Sequence, residues 1–403
     1  MILLIPVFGI FASAGEKNIG LAETTKNIDY SRFKGTKLNV FNWGFYISDG
    51  TDGSVNVNDE FEKLTGIKVV YDTYDSNESM YPKIAESGVN YDIIIPSDYM
   101  IARLIEENRL HKINFDNIPN YRYISEKYKN APYDPEDEYS VPYSVGMVGI
   151  IYNTTVVSGK PDSWELMWDD RYREKILNFN NPRDAFGTAQ LLLGLDVNSE
   201  HKEDWNKAYE KLLEQKKFYQ GYVMDQVFNK MESGEASIAP YYAGDFFTMY
   251  GNNKDLAFYY PKEGTNVFVD AVCIPENAKH KEAAELYINF LLDPAIGKAN
   301  AEYIYYASPN TGVMEDKEYR EFLQELHPDA YNILYGTNDD YNAVTFLNLS
   351  DDMKAHMNDL WGKLKSSNDG MGIGVYIVFF VIIGIIIALA VASAVRKRRR
   401  RQE

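Results

Sequence analysis

The middle of the chain alternates between two hydrophobic periods, and this constrains its fold more than any other feature. Lys37–Asn42 is a short apolar run that reads as a strand, and Asn58–Thr65 carries Phe61 and Leu64 on one helical face, with Asn58 expected as its N-cap and Gly66 as its stop. Ile67–Tyr71 reads as the next strand, Ser79–Glu86 as a helix, Tyr91–Ile95 as a buried strand closed by Pro96, and Tyr99–Glu107 as a helix. The rhythm resumes after Gly146: strands at Gly146–Tyr152, Ile176–Phe179, Ile238–Tyr242 and Val267–Ile274, and helices at Trp164–Trp168, Ala185–Leu195, 203–216 and Lys281–Leu292. Strands and helices in alternation imply an α/β fold with a parallel sheet covered by helices. Ligands of such sheets sit at the carboxyl ends of strands. Here those ends are Trp43, Tyr71–Tyr74 and Ser97–Tyr99.

The two ends of the chain differ from this body. Residues 371–395 hold no charged side chain and are followed by Arg396, Lys397 and Arg398–Arg401. The stretch 375–395 is long enough for a helix to cross the roughly 30 Å hydrocarbon layer. By the positive-inside rule it predicts one C-terminal transmembrane helix, a basic cytoplasmic tail at 396–403, and an extracellular or periplasmic body. Residues 1–14 combine an apolar run with Ala12-Ser13-Ala14, resembling a cleavable secretory signal, with an uncleaved membrane segment as the rival. Residues 15–36 and 366–370 read as polar tethers.

Charge and chemistry narrow the function. The last eight residues contribute +5 and the whole chain −18, so residues 15–370 carry −23. Such a surface repels nucleic acid and suits a cationic ligand. The one cysteine, Cys273, lies in an apolar strand, which excludes an intrachain disulfide and leaves no thiol near the N-terminus for lipid attachment. The five histidines show no metal spacing, and no nucleophile or phosphate-binding motif occurs. No catalytic residue, metal or cofactor is expected. With 32 tyrosines the chain has amphipathic rings to spare for a binding surface.

Against this background Val40-Phe41-Asn42-Trp43-Gly44-Phe45-Tyr46 resembles the spermidine/putrescine-binding proteins of ABC-type polyamine uptake systems. The similarity continues through Phe61–Tyr71, Asp75-Ser76-Asn77-Glu78, Tyr91–Ser97, Tyr139–Tyr143, Ser163-Trp164, Pro261–Gly264, Ile274–Lys279 and Ser308-Pro309-Asn310. It covers residues 37 to about 366. The resemblance implies the periplasmic-binding-protein fold, with two α/β lobes, a cleft and hinge crossovers near Tyr143–Gly146 and Val269–Ala271. One lobe would be 37–142 plus 271–318, the other 146–268 plus 319–366.

It also implies ligand-binding residues. Trp43 matches a wall tryptophan, Tyr46 a nearby tyrosine, and Ser97 and Tyr99 a serine and a tyrosine of the site. Ser97 is equally suited to cap a helix. Asp184 falls where spermidine binders have a glutamate, or else caps the helix that follows it. Asn181 replaces an aspartate. Tyr242, in Tyr242-Ala243-Gly244-Asp245, stands for a tryptophan and makes Asp245 a candidate ammonium ligand. Phe268 replaces another tryptophan. Asp270 matches the central carboxylate, and Tyr306 a site tyrosine. Asn348 is a weaker match to a final glutamine. The implied function is an extracytoplasmic polyamine receptor, monomeric and held to the membrane by its C-terminal helix, that delivers ligand to an ABC permease. Loss of an acid at Asn181 and gain of one at Asp245 imply that putrescine binds at least as tightly as spermidine. The alternatives are a receptor for another cationic or organic solute and a sensor ectodomain, whose eight-residue tail is short for signalling.

Overall fold

The computed structural model describes residues 19–85, 89–336 and 340–367. Its chain divides into two compact units: the first comprises residues up to Gly149, Tyr241–Lys254 and Asn266–Asn348, the second Ile150–Pro240, Asp255–Thr265 and Leu349 onward. The strands in chain order are β1 (Lys37–Trp43), β2 (Lys68–Tyr74), β3 (Ile93–Ile94), β4 (Ser140–Asn153), β5 (Leu177–Phe179), β6 (Gly221–Val223), β7 (Ile238–Tyr242), β8 (Leu256–Tyr259), β9 (Thr265–Cys273) and β10 (Ala343–Val344).

In the first unit β1 pairs in parallel with β2 and β3, while β9 joins β3 and the first half of β4 antiparallel. Alternate residues serve two cores. Leu38, Val40, Ile93, Val272 and Ile274 pack on one face with Phe61 and Tyr287. Phe41, Ile94, Ala271 and Cys273 pack on the other, against Met100, Ile101 and Leu104 of the helix Asp98–Glu106. A sheet buried on both faces gives the continuous apolar runs read from the sequence. In the second unit the end of β4 pairs with β8, β5 pairs with β6, and Ile176 bridges Ile238. The helices Pro182–Leu192, Lys202–Gln215 and Asp351–Ser366 close over Phe186, Trp205 and Leu360.

Several expectations shift. The helix expected at Asn58–Thr65 runs over Val57–Thr65 and is capped by Asn56, whose Oδ1 accepts from the Asp59 amide; Asn58 instead accepts from the Tyr287 hydroxyl. The helix expected from Ala185 begins at Pro182, with Asn181 as its cap in place of Asp184. Residues 19–36, expected as a tether, dock on the first unit. The Ala22 amide and the Thr25 hydroxyl both donate to the buried carboxylate of Asp293, and Tyr30 is buried. Ile19, Leu21 and Phe33 pack against the core from the same segment, at spacings that follow neither the helical nor the strand period. Of the stretches expected as crossovers, Ser144–Gly146 and Val269–Ala271 are paired ladder positions inside the first unit, with Tyr143 at the register shift between Pro142 and Ser144; the chain passes between units at 149/150, 240/241, 254/255, 265/266 and 348/349. Residues 241–254 and 319–348, expected in the second lobe, belong to the first unit, where the helix Ala243–Asn252 touches the helices Pro294–Ile304 and Ala330–Tyr335. Among the described residues no helix is long and apolar enough to cross a membrane. The expected signal at 1–14, span at 375–395 and tail at 396–403 lie outside the described residues.

Candidate functional site

In the first unit, β1 delivers Trp43 to its carboxyl end. The indole Nε1 donates to the Ile95 carbonyl at 2.8 Å, and the ring leans on Tyr74 at 4.8 Å between centroids. The following turn, with Phe45 at φ +55°, carries Tyr46 inward. Tyr143 donates to the Tyr46 carbonyl at 2.6 Å, and Asn300 holds both sides of that contact: its Nδ2 donates to the Tyr143 hydroxyl and its Oδ1 accepts from the Ser48 amide. The turn is thereby fixed by residues far away in sequence, the kind of support a precise site requires.

Tyr46 aims its hydroxyl at Asp270, a carboxylate 3% exposed in the middle of β9. Asp270 Oδ2 accepts from Tyr46 at 2.7 Å and Oδ1 from the Ser97 hydroxyl at 2.6 Å. Ser97 occupies the N-cap position of the helix Asp98–Glu106 but makes no capping bond with its side chain. A carboxylate buried in an apolar strand is costly unless it is bonded or paired with a cation. Asn77 extends the network: its Nδ2 donates to Ser97 Oγ at 3.1 Å and to the Tyr99 hydroxyl at 3.2 Å, and Tyr99 donates to Glu78 Oε1 at 2.9 Å.

On the other side of Tyr46, the Tyr306 ring meets it edge to face at 4.9 Å, and the Tyr306 hydroxyl donates to Asp245 Oδ2 at 3.0 Å. A Cβ on Gly244 would stand 2.3 Å from the Tyr306 ring, so only glycine admits the ring there. Gly146 makes the same room for Phe268, whose ring meets Tyr242 edge to face at 5.4 Å. Burial, reinforced by the Asp270 charge, holds the Tyr46 phenol well above the usual tyrosine range, and burial with Asp245 does the same for Tyr306. Both therefore stay protonated donors at any physiological pH.

Trp43, Tyr46, Ser97, Tyr99, Tyr242, Asp245, Phe268, Asp270 and Tyr306 thus all lie in the first unit. Asn348 belongs to the same unit, donates to Glu106 at 2.7 Å, and lines with Tyr99, Phe268 and Phe346 a cavity of about 320 Å³. Asn181 and Asp184 lie in the second unit and bond each other reciprocally: the Asp184 amide donates to Asn181 Oδ1 at 2.8 Å and Asn181 Nδ2 to Asp184 Oδ2 at 2.7 Å. The sequence implies no site role for Asn77, Glu78 or Asn300, and for Tyr143 only a place at a crossover. Asn77 and Glu78 stand just past the carboxyl end of β2, where the strand-end rule points. Among the described residues no group of three or more His, Cys, Asp or Glu could hold a metal ion.

Comparison with known proteins gives consistent results. A family model described as bacterial extracellular solute-binding protein matches residues 90–328. The spermidine/putrescine-binding periplasmic protein of Salmonella typhimurium is 33% identical over 310 residues, covering 74% of this chain and 85% of its own. A candidate spermidine/putrescine ABC transporter structure from Listeria monocytogenes superposes with a TM-score of 0.76 at 32% identity, covering 83% of this chain and all of its own. The substrate-binding protein of a Streptococcus pneumoniae spermidine/putrescine ABC transporter gives 0.67 at 29% identity, with 82% and 98% covered.

Proposed function

Because the chain belongs to the bacterial extracellular solute-binding protein family, we propose that it is a polyamine receptor that hands putrescine or spermidine to an ABC permease. One observation carries the ligand class. The hydroxyls of Tyr46, Ser97, Tyr99 and Tyr306 each donate to a carboxylate, of Asp270, Asp270, Glu78 and Asp245 respectively. A hydroxyl has one proton to donate. With those protons committed, none of the four hydroxyls has a proton left to donate to an incoming ligand, and the carboxylates behind them carry negative charge. That wall suits ammonium groups and disfavours an anionic solute.

In this reading Asp270 and Asp245 take ammonium groups through charge-assisted hydrogen bonds worth about 1.5–3 kcal/mol each. Trp43, Tyr242 and Phe268 supply rings for the methylene chain and for cation–π contacts of roughly 0.5–2 kcal/mol. Asp184, with Asn181 beside it, is the second unit's contribution, and Asn348 a peripheral one. The family binds solutes rather than transforming them, so the role assigned is capture and delivery. The apolar stretch 375–395 is assigned as the membrane anchor that raises the receptor's concentration at its permease.

A ligand panel tests the class. Fluorescence or calorimetric titration with putrescine, spermidine, a four-carbon dicarboxylate and a zwitterionic amino acid should give saturable binding for the two polyamines alone. Binding of the dicarboxylate in preference to the amines would reverse the reading.

A further inference from the structure

The hydrogen-bonded line through the first unit has three carboxylates, and one of them has no counterpart among the residues assigned above. It runs from Asp245 to Tyr306, across the ring contact to Tyr46, on to Asp270, Ser97, Asn77 and Tyr99, and ends at Glu78. Resting on the polyamine reading, we propose that Glu78 is a third cation station, which takes the ammonium group a triamine carries beyond those of a diamine.

Chemistry and spacing both support this role. Tyr99 commits its proton to Glu78 and its oxygen to Asn77, so the phenol has no proton to offer a ligand and the ionised carboxylate is the acceptor, the kind that binds N⁺–H groups most strongly. The Tyr99 ring is held in place from the other side by Phe346, edge to face at 6.3 Å. Glu78 is half-buried in the first turn of the helix Asn77–Ala85, so its charge is favoured by the helix dipole. Four hydrogen bonds in series, of 2.6, 3.1, 3.2 and 2.9 Å, join Asp270 Oδ1 to Glu78 Oε1. A saturated chain advances about 1.2 Å per bond, the rise of any extended backbone, so a four-carbon segment separates its nitrogens by about 6 Å. The path bounds the separation of those two oxygens at about 12 Å, and a four-carbon segment with an ammonium contact of about 2.8 Å at each end is long enough to span it. A diamine fills Asp245 and Asp270; a triamine extends to Glu78. The acid missing at Asn181 in the second unit is thereby offset in the first.

The test is a competition titration of the full chain in detergent or lipid nanodiscs, with putrescine and spermidine, for the wild type, Glu78→Gln and Glu78→Asp. Gln keeps an acceptor for Tyr99 and removes the charge. Glu78→Gln should raise the spermidine Kd at least tenfold more than the putrescine Kd, and Glu78→Asp should restore most of the difference. An unaltered thermal melt separates this effect from misfolding. Equal changes for both ligands, or none, in a wild type that binds both would overturn the role of Glu78. A wild type that binds neither would overturn the polyamine reading itself.

Discussion

Gly244 is defined by what stands beside it: the Tyr306 ring occupies the volume a Cβ would fill, at 2.3 Å from its Cδ2. Gly244→Ala should push that ring off Asp245 and away from Tyr46. Overpacking of this kind costs about 1–3 kcal/mol. We expect a lowered melting temperature together with weaker polyamine binding, whereas a purely structural glycine would show the first effect without the second. Asp270 could be singled out in the sequence by the resemblance, and its place inside the apolar run Val267–Ile274 accords with the two hydroxyls that bond it. Glu78 could not, because its meaning depends on Asn77 reaching twenty residues along the chain to Ser97. Ser97 itself illustrates the limit: sequence left it as a helix cap or a site residue, and its hydroxyl is committed to Asp270.

At the scale of elements, the strands and helices picked out by hydrophobic period are present, but the period passed over the strand Leu256–Tyr259 and the helices Ala243–Asn252 and Pro294–Ile304, and it did not fix helix starts. Asn56 and Asn181 cap where Asn58 and Asp184 were expected, since several polar residues in a row all satisfy the capping pattern and only backbone direction chooses among them. Helix ends have their own devices. The helix Asp351–Ser366, the last among the described residues, is closed by Lys216, whose buried Nζ donates to the carbonyls of Leu364 and Ser367, each at 2.6 Å. Lys216→Met keeps the stem and deletes these charged bonds; at about 1.5–3 kcal/mol for a bond of this kind, urea denaturation should show a loss of at least that size, and an unchanged midpoint would remove the clamp. A second element has a pH signature. His327 packs against Phe246 and Tyr250 of the helix Ala243–Asn252, and its Nδ1 accepts from the Asp329 amide. Burial lowers its pKa below the usual value, helped by Lys254 and opposed by Asp329. The unfolded chain therefore binds this proton first, so the contribution is complete above about pH 6.5 and is lost as pH falls toward the lowered folded value. Melting temperatures between pH 7.5 and 5 should decline less steeply for His327→Phe than for the wild type.

At the scale of the whole molecule, the α/β architecture and the membership of one binding-protein family could be read from alternation and ordered motifs, while the partition of the chain could not. Motif positions said nothing of the helix Ala243–Asn252 packing with the first unit, because that depends on contacts with helices far downstream. The partition matters to the proposed function: it gathers Asp245, Tyr306, Tyr46 and Asp270, the residues of the proposed wall, into one unit. Removal of residues 371–403 should leave this wall intact and release a soluble receptor that still binds polyamine, checked by fractionation followed by titration. The most direct measurement is calorimetric titration of the wild type and Asp270→Asn with putrescine. The account predicts saturable one-to-one binding by the wild type and a loss of several kcal/mol in the variant, from removing a desolvated charge partner. Equal affinity in the two proteins would contradict it.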